Sequence, residues 1–320
     1  MRTVYRLNLS PYQCENFQEQ ENTLITGLGL NYISSQSDGN YKELKSKNIL
    51  ISNTHTRFDK IPSDTIENCE LILHPNSGYD NFSIEFLNKY PNIKIVLGNT
   101  IRSKAVASYI LSSFFSHYSP IPSSKTWKPG REWKRNDISS LNILLLGHGH
   151  IGKMIEQALK PLVNNVFISD PHKDLEIDLN SNFLNTVDCI IPTMSLNESS
   201  EGLLDKTFFQ SLKESALIIN GARGKLIQQN ELINYLKSNK EAFAFLDVFE
   251  KEPCDFAIFN GIENVKLTSH IAGVHNGLDK AILDFEMKVI NDHQKMEEKE
   301  FLIKYNNLNL RKKMKGNILI

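Results

Sequence analysis

From residue 141 onward, short apolar runs alternate with stretches whose apolar residues recur every three or four positions. The runs are 141–146, 165–169, 217–219 and 243–246, and Val265-Lys266-Leu267-Thr268-Ser269 is a further candidate strand. Apolar segments of this length, bounded by glycine and polar residues, fit strands buried on both faces of a parallel sheet. Between the first two runs, Ile151, Met154, Ile155, Ala158 and Leu159 fall on one face of a helix. Before residue 141 the candidate strands are 48–52, 71–74 and 93–97, alternating with helical stretches such as 83–90. Two longer apolar-faced helices are expected at 103–118 and 276–296. Strand–helix alternation of this kind places the chain in the α/β class, and 320 residues suit two domains better than one.

The first strand-to-helix turn reads Gly147-His148-Gly149-His150-Ile151-Gly152. In that position the first glycine permits the tight turn, the second lets the backbone approach a pyrophosphate, and the third lets helix and strand pack closely. Amides at the start of the helix face the anion. The next strand ends at Asp170, about 20 residues past the first glycine, where a carboxylate can accept hydrogen bonds from a ribose diol. An acid there repels a 2′-phosphate, and no arginine stands in Asp170-Pro171-His172-Lys173, so the reading is NAD rather than NADP. His148 and His150 alternate as metal ligands can, but no third ligand accompanies them, and no metal is expected.

Three further strand ends carry chemistry. The run 217–219 leads into Asn220-Gly221-Ala222-Arg223-Gly224. A guanidinium there suits a planar carboxylate, gripping both oxygens and polarising a neighbouring carbonyl, as a 2-oxo acid requires. The run 243–246 leads into Asp247-Val248-Phe249-Glu250-Lys251-Glu252-Pro253, and 265–269 leads directly into His270. Hydride transfer at a carbinol carbon is accompanied by proton transfer at its oxygen, and histidine titrates near neutrality without help. His270 is therefore the acid–base candidate. A carboxylate on the far ring nitrogen would fix the tautomer and favour the protonated ring. Glu252 is assigned that role, with Glu250 as its rival.

In these segments the chain resembles the D-isomer-specific 2-hydroxyacid dehydrogenases, which include phosphoglycerate, glycerate, D-lactate and erythronate-4-phosphate dehydrogenases. The likeness covers roughly residues 45 to 290. It is carried by 219–224 for the family's arginine motif, 247–253 for its glutamate motif and Thr268-Ser269-His270-Ile271-Ala272-Gly273 for its histidine motif. The resemblance implies a catalytic set of Arg223, Glu252 and His270. It implies a substrate loop at Asn76-Ser77-Gly78-Tyr79, in which Ser77 and Gly78 hold the substrate carboxylate alongside Arg223 and His270. Cofactor contacts are implied for Gly147, Gly149, His150, Ile151, Gly152 and Asp170, and also for Pro192, Thr193, Ala222, Asp247 and Gly273.

The implied fold is a doubly wound Rossmann-type NAD-binding domain at 103–288. A smaller flavodoxin-like substrate domain, discontinuous in sequence, would comprise 1–102 and a C-terminal return at 289–320. The implied activity is hydride transfer between NAD and a D-2-hydroxy acid, or the reverse reduction of a 2-oxo acid. Relatives on this fold that oxidise phosphonate or formate, and NAD-sensing co-repressors that retain the catalytic residues, are the alternatives. Formate oxidisers usually place glutamine where Glu252 stands. His55, Arg57, His74 and Arg102 are candidates to meet a distal phosphate of the substrate.

Composition changes little in this picture. A net charge of −1 provides no field that would draw nucleic acid or an anionic membrane, and no apolar stretch is long enough to cross a bilayer. Cys14, Cys69, Cys189 and Cys254 show neither close pairing nor metal-ligand spacing, which fits a reducing cytoplasm. The segment 119–136 holds Trp127 and Trp133 and, by resemblance, contributes to a homodimer contact; packing within the chain is the other expectation for the tryptophans.

Overall fold

The computed structural model of the protein describes residues 2–10, 13–35, 39–123, 125, 127, 130, 135–315 and 318–319. The chain divides into two compact units, 1–102 with 274–320, and 103–273.

In the first unit the chain forms β1 (Thr3–Arg6), α1 (Phe17–Gly27), β2 (Asn31–Ser34), β3 (Asn48–Ile51), α2 (Ser63–Glu67), β4 (Cys69–His74), α3 (Ile84–Lys89) and β5 (Lys94–Leu97). The five strands are parallel, in the order β2-β1-β3-β4-β5. That is the flavodoxin-like order. Side chains alternate across the sheet. Leu50, Ile72 and Ile95 pack into one core with Phe58, Phe82 and Phe86. Ile49, Leu71 and Val96 pack into another. Ser83 ends the approach to α3 by accepting the Phe86 N–H at 3.1 Å, a side-chain cap that starts the helix.

The helix α4 (Asn99–Tyr118) carries the chain into the second unit. There follow β6 (Asn142–Leu146), α5 (His150–Leu159), β7 (Asn165–Ser169), α6 (Ser181–Leu184), β8 (Cys189–Pro192), α7 (Lys206–Gln210), β9 (Leu217–Asn220), α8 (Gln229–Ser238), β10 (Phe243–Leu246) and β11 (Val265–Leu267). All six strands are parallel, in the order β7-β6-β8-β9-β10-β11. Leu144, Ile190, Ile218 and Ala244 face one helical layer, and Ile143, Ile191, Ile219 and Phe245 face the other. After β6 the chain builds β7 on one side and then crosses to build β8 on the other. The carboxyl ends of β6 and β8 therefore border the switch point, where doubly wound sheets bind their ligands.

The chain returns to the first unit at residue 274, whereas the resemblance places the return at 289. The reason is α9 (Leu278–Lys295), whose whole apolar face belongs to the first unit. Leu278, Ile282 and Leu283 pack on Phe17, and Val289 and Ile290 pack on Val4, Ile25 and Leu71. The helix α10 (Glu298–Lys304) and the antiparallel pair β12 (Met314–Lys315) and β13 (Ile318–Leu319) complete the described chain.

Among the described residues no helix is long and apolar enough to cross a membrane, and the four cysteines are free thiols. Trp127 is 94% exposed, so it is not a packing residue within the chain. Trp133 lies outside the described residues.

Candidate active site

The sheet of the second unit brings the sequence-distant motifs to one edge, because parallel strands end on the same side. The glycine loop follows β6, Thr193 follows β8, Arg223 follows β9, Asp247 and Glu252 follow β10, and His270 follows β11.

At the glycine loop, each glycine meets a different constraint. Gly147 has φ +101°, and a Cβ there would lie 2.8 Å from the Met194 backbone nitrogen. A Cβ on Gly152 would lie 2.5 Å from the Gly147 carbonyl oxygen. Gly149 is different: a Cβ would meet no protein atom within 4 Å. Space is thus kept open where a phosphate would approach the N-terminus of α5, whose N-cap residue supplies no side chain. Thr193 donates its hydroxyl to the Gly147 carbonyl at 2.7 Å and its N–H to Leu146 at 2.7 Å, pinning the loop to the end of β8.

Asp170 is tied to the same loop. Its carboxylate accepts the His148 N–H at 2.8 Å and stands 3.5 Å from the Lys173 ammonium, which also donates to the His148 carbonyl. The His148 ring turns back onto α5, where its Nε2 lies 2.8 Å from Glu156. Hydrogen bonds from His148 and Lys160 hold the Glu156 carboxyl below its ordinary range. Among the described residues no three His, Cys, Asp or Glu side chains group as a metal site would need. The loop, the open space at Gly149, the helix terminus and the acid after β7 fit a dinucleotide.

The catalytic candidates converge as well. His270 Nδ1 lies 2.7 Å from Glu252 Oε2. Because a carboxylate only accepts, Nδ1 carries the proton and Nε2 is the nitrogen left for exchange with a substrate. Glu252 Oε1 accepts the Phe249 N–H at 2.9 Å, which fixes the carboxylate plane. Burial pushes the Glu252 carboxyl up, but the His270 hydrogen bond and charge, the Phe249 N–H and the Arg223 charge together hold it below the ordinary glutamate value. Arg223 therefore acts on the same carboxylate electrostatically. Glu250 is exposed, and Glu252 is the acid that meets His270.

The contact between the arginine and glutamate loops depends on Gly224. A Cβ at Gly224 would fall 1.9 Å from the Phe249 carbonyl carbon, so no other residue fits without moving backbone. Asn220, almost fully buried, braces the arginine loop by donating to the Arg223 carbonyl at 2.9 Å and accepting the Ala222 N–H at 3.0 Å. Arg223 itself donates to the Ala222 carbonyl at 2.7 Å. In the sequence Asn220 is one residue of the motif 219–224. Its bracing role shows no sign in the sequence beyond adjacency to the strand end.

Asp247 is fully buried, with both oxygens engaged by groups of the histidine loop. Pro192 is buried at the end of β8 and Gly273 is half-buried.

In the first unit, Gly78 is buried and its carbonyl lies 2.7 Å from His74 Nε2, while His74 Nδ1 lies 2.9 Å from the Ser52 hydroxyl. Among the described residues, Asp174 and His270 are the non-glycine positions with positive φ, so Ser77 adopts an ordinary backbone conformation. Of the four residues considered for a distal phosphate, His74 is fully buried in this bracing role and Arg57 pairs with Asp59 at 2.9 Å. Arg102 donates to the Pro75 carbonyl, and the His55 N–H caps onto Asn53 at 2.9 Å.

Residues 113–272 match the model of the D-isomer specific 2-hydroxyacid dehydrogenase NAD-binding domain. The chain is 25% identical over 267 residues to a glyoxylate reductase of Pyrococcus horikoshii, covering 77% of this chain and 80% of that protein. Its fold is similar to that of an NAD-dependent formate dehydrogenase of Staphylococcus aureus solved with NAD, with a TM-score of 0.70 at 19% identity, covering 93% of this chain and 98% of that one. It is also similar to an NADPH-dependent glyoxylate/hydroxypyruvate reductase of Sinorhizobium meliloti, with a TM-score of 0.68 at 15% identity, covering 92% and 94%. With its dinucleotide loop and its histidine–carboxylate pair on adjoining strand ends, the chain belongs to the D-isomer specific 2-hydroxyacid dehydrogenase family and is an NAD-dependent oxidoreductase.

Proposed function

We propose that the protein reduces a small 2-oxo acid to its D-2-hydroxy acid, or runs the reverse oxidation, with His270 as acid–base, Glu252 as its supporting carboxylate and Arg223 as the carboxylate clamp. The observation that carries this reading is the 2.7 Å contact between His270 Nδ1 and Glu252. It leaves Nε2 to take the hydroxyl proton in oxidation and to return it in reduction. NAD, when bound, supplies the hydride acceptor. Its pyrophosphate would rest on Gly147, Gly149, His150, Ile151 and Gly152, and its ribose on Asp170. For the Ser77–Gly78 loop we propose a carboxylate-binding task, supported by its sequence resemblance alone.

The segment 119–136 is proposed as a homodimer contact. Ile121 and Trp127, 93% and 94% exposed, support it as large apolar side chains available for a partner copy to cover. A cytoplasmic location is proposed from four unpaired thiols.

The test is NADH oxidation followed at its absorbance against glyoxylate, hydroxypyruvate, pyruvate and phosphorylated 2-oxo acids, with formate oxidation run alongside. Turnover of a 2-oxo acid is expected. His270→Ala should lower kcat by about 10²–10⁴-fold while leaving the NADH Kd within about twofold. Parallel loss of NADH binding would make His270 structural instead.

A further inference from the structure

The His270 backbone is strained: φ is +57°, a left-handed conformation that non-glycine residues rarely adopt. Such a conformation persists only where the surroundings over-determine it. Here four groups of the histidine loop are tied to Asp247. The His270 N–H donates to the Asp247 carbonyl at 2.7 Å. Next in the chain, the Ile271 N–H donates to Asp247 Oδ1 and the Ala272 N–H to Oδ2, each at 2.8 Å. On the other side of His270, the Thr268 hydroxyl donates to Oδ1 at 2.6 Å.

Thr268 has one hydroxyl proton, and Asp247 takes it. The Tyr109 hydroxyl, 2.8 Å away, must therefore donate to Thr268. Burial first, and then the Asp247 charge, pushes the Tyr109 phenol up, opposed by its hydrogen bond to Thr268, so the phenol keeps the proton it donates. The result is a directional chain from Tyr109 on α4, through Thr268, to a fully buried Asp247 that grips three successive residues of the histidine loop. Gly221 adjoins it: a Cβ there would lie 3.6 Å from the Ala272 Cβ and 3.8 Å from the Tyr109 ring.

We propose that Tyr109, Thr268 and Asp247 are positioning residues for the reaction, holding the His270 backbone in the strained conformation that delivers Nδ1 to Glu252. The task goes beyond the loop-binding residues and the histidine–glutamate pair, and it rests on the reading of His270 as the acid–base. None of the three needs to touch the substrate. The resemblance implies a cofactor contact at Asp247, and its carboxylate oxygens also accept from Thr268, Ile271 and Ala272 of the histidine loop.

The experiment compares Tyr109→Phe, Thr268→Val, Thr268→Ser and the double variant Tyr109→Phe/Thr268→Val in the full-length chain. Measured for each are kcat and KM for the 2-oxo acid that the wild type turns over, the NADH Kd, and a crystal structure of Thr268→Val. Thr268→Val should lower kcat by about 10²-fold, the effect of displacing a reacting group by about 1 Å. Tyr109→Phe should lower it several-fold, and Thr268→Ser, which keeps the hydroxyl, should restore most of the rate. The NADH Kd should stay within about twofold in all. Because Tyr109 acts through Thr268, the double variant should be no worse than Thr268→Val.

Wild-type kcat in both Thr268→Val and Tyr109→Phe would overturn the proposal, as would Thr268→Ser being as impaired as Thr268→Val, or multiplicative losses in the double variant. So would a Thr268→Val structure with His270 still on Glu252. That last measurement needs no turnover. A wild type inactive on every 2-oxo acid defeats the functional reading, whereas an unmoved His270 in the crystal defeats the clamp.

Discussion

At the scale of single residues, the site is decided by backbone geometry as much as by reactive groups. Gly224 matters because its missing Cβ lets the arginine loop lie against the Phe249 carbonyl. Gly224→Ala should destabilise the fold by about 3 kcal/mol, in the range of a severe overpacking defect, and cost activity as well. Urea midpoints together with kcat check this, and wild-type values for both would show that the loops separate freely.

Glu252 gives a pH prediction with a definite sign. Its folded-state pKa is lowered, so the stabilisation it contributes is complete above the unfolded glutamate value of about 4.3 and is lost as pH falls through the lower folded value. Urea melts of wild type and Glu252→Gln, taken from about pH 3 to pH 7, should therefore differ near neutrality and converge in acid. A difference that widens in acid contradicts the assigned direction.

At the scale of elements, α1, α9 and β1 are joined by a buried charge cluster. Arg6, 1% exposed, contacts Glu21 of α1 and, at 2.6 Å, Glu286 of α9, and it lies over the Phe17 ring at 5.4 Å. Tyr32 donates to Glu21 at 2.5 Å. Two acids share one cation, and they divide unequally. Burial and the neighbouring Glu21 push the Glu286 carboxyl well up, against the pull of Arg6. Burial also pushes Glu21 up, but the Arg6 charge and the hydrogen bonds it receives outweigh that and hold it down.

Of the two acids, Glu286 is the one whose burial and like-charged neighbour favour the protonated form. Glu286→Gln, which imitates the protonated form, should alter stability by less than about 1 kcal/mol, whereas Arg6→Met, which strands Glu21, should cost about 3–5 kcal/mol. Chemical denaturation at pH 7 measures both. Equal costs would mean that Glu286 is charged.

At the scale of the whole molecule, stability at acid pH should be limited by His293 near the C-terminal end of α9. Its ring packs edge-on against Phe301 and borders a cavity of about 300 Å³ with Arg2, Glu70 and Lys94. Burial first, then the Lys94 charge, pushes the imidazole down to about 4. In the unfolded chain it titrates near 6.5, so unfolding takes up a proton between these values. Stability present above about pH 6.5 is lost as the pH falls toward 4. His293→Gln should shallow the fall in Tm between pH 7.5 and pH 5, as read by calorimetry. An unchanged slope would place the acid sensitivity elsewhere.

Much of the fold and the site was legible along the chain, and the reason differs by element. Strands β3, β6, β9 and β10 carry apolar runs, because a parallel sheet buries both faces of its inner strands, whereas β11, at the sheet edge, holds Lys266. Gly147, Arg223 and Glu252 each stand within a few residues of such a run, and His270 follows the short strand β11, so local pattern located them. β1 escaped notice because Thr3-Val4-Tyr5-Arg6 ends in a charge. The partners that make its burial tolerable, Glu21 and Glu286, lie far along the chain.

The return of the chain at 274 was hidden for a similar reason, since an amphipathic helix shows that it packs but not upon what. Sequence alone determined the class of fold, the dinucleotide loop and which side chains are candidates for the chemistry, because these follow from periodicity and from the chemistry of single residues. Tertiary structure alone decided which acid meets His270, why Gly224 cannot be replaced, and that Asp247, Thr268 and Tyr109 converge on the histidine loop. Those outcomes depend on distances between separate strand ends, which no spacing along the chain encodes.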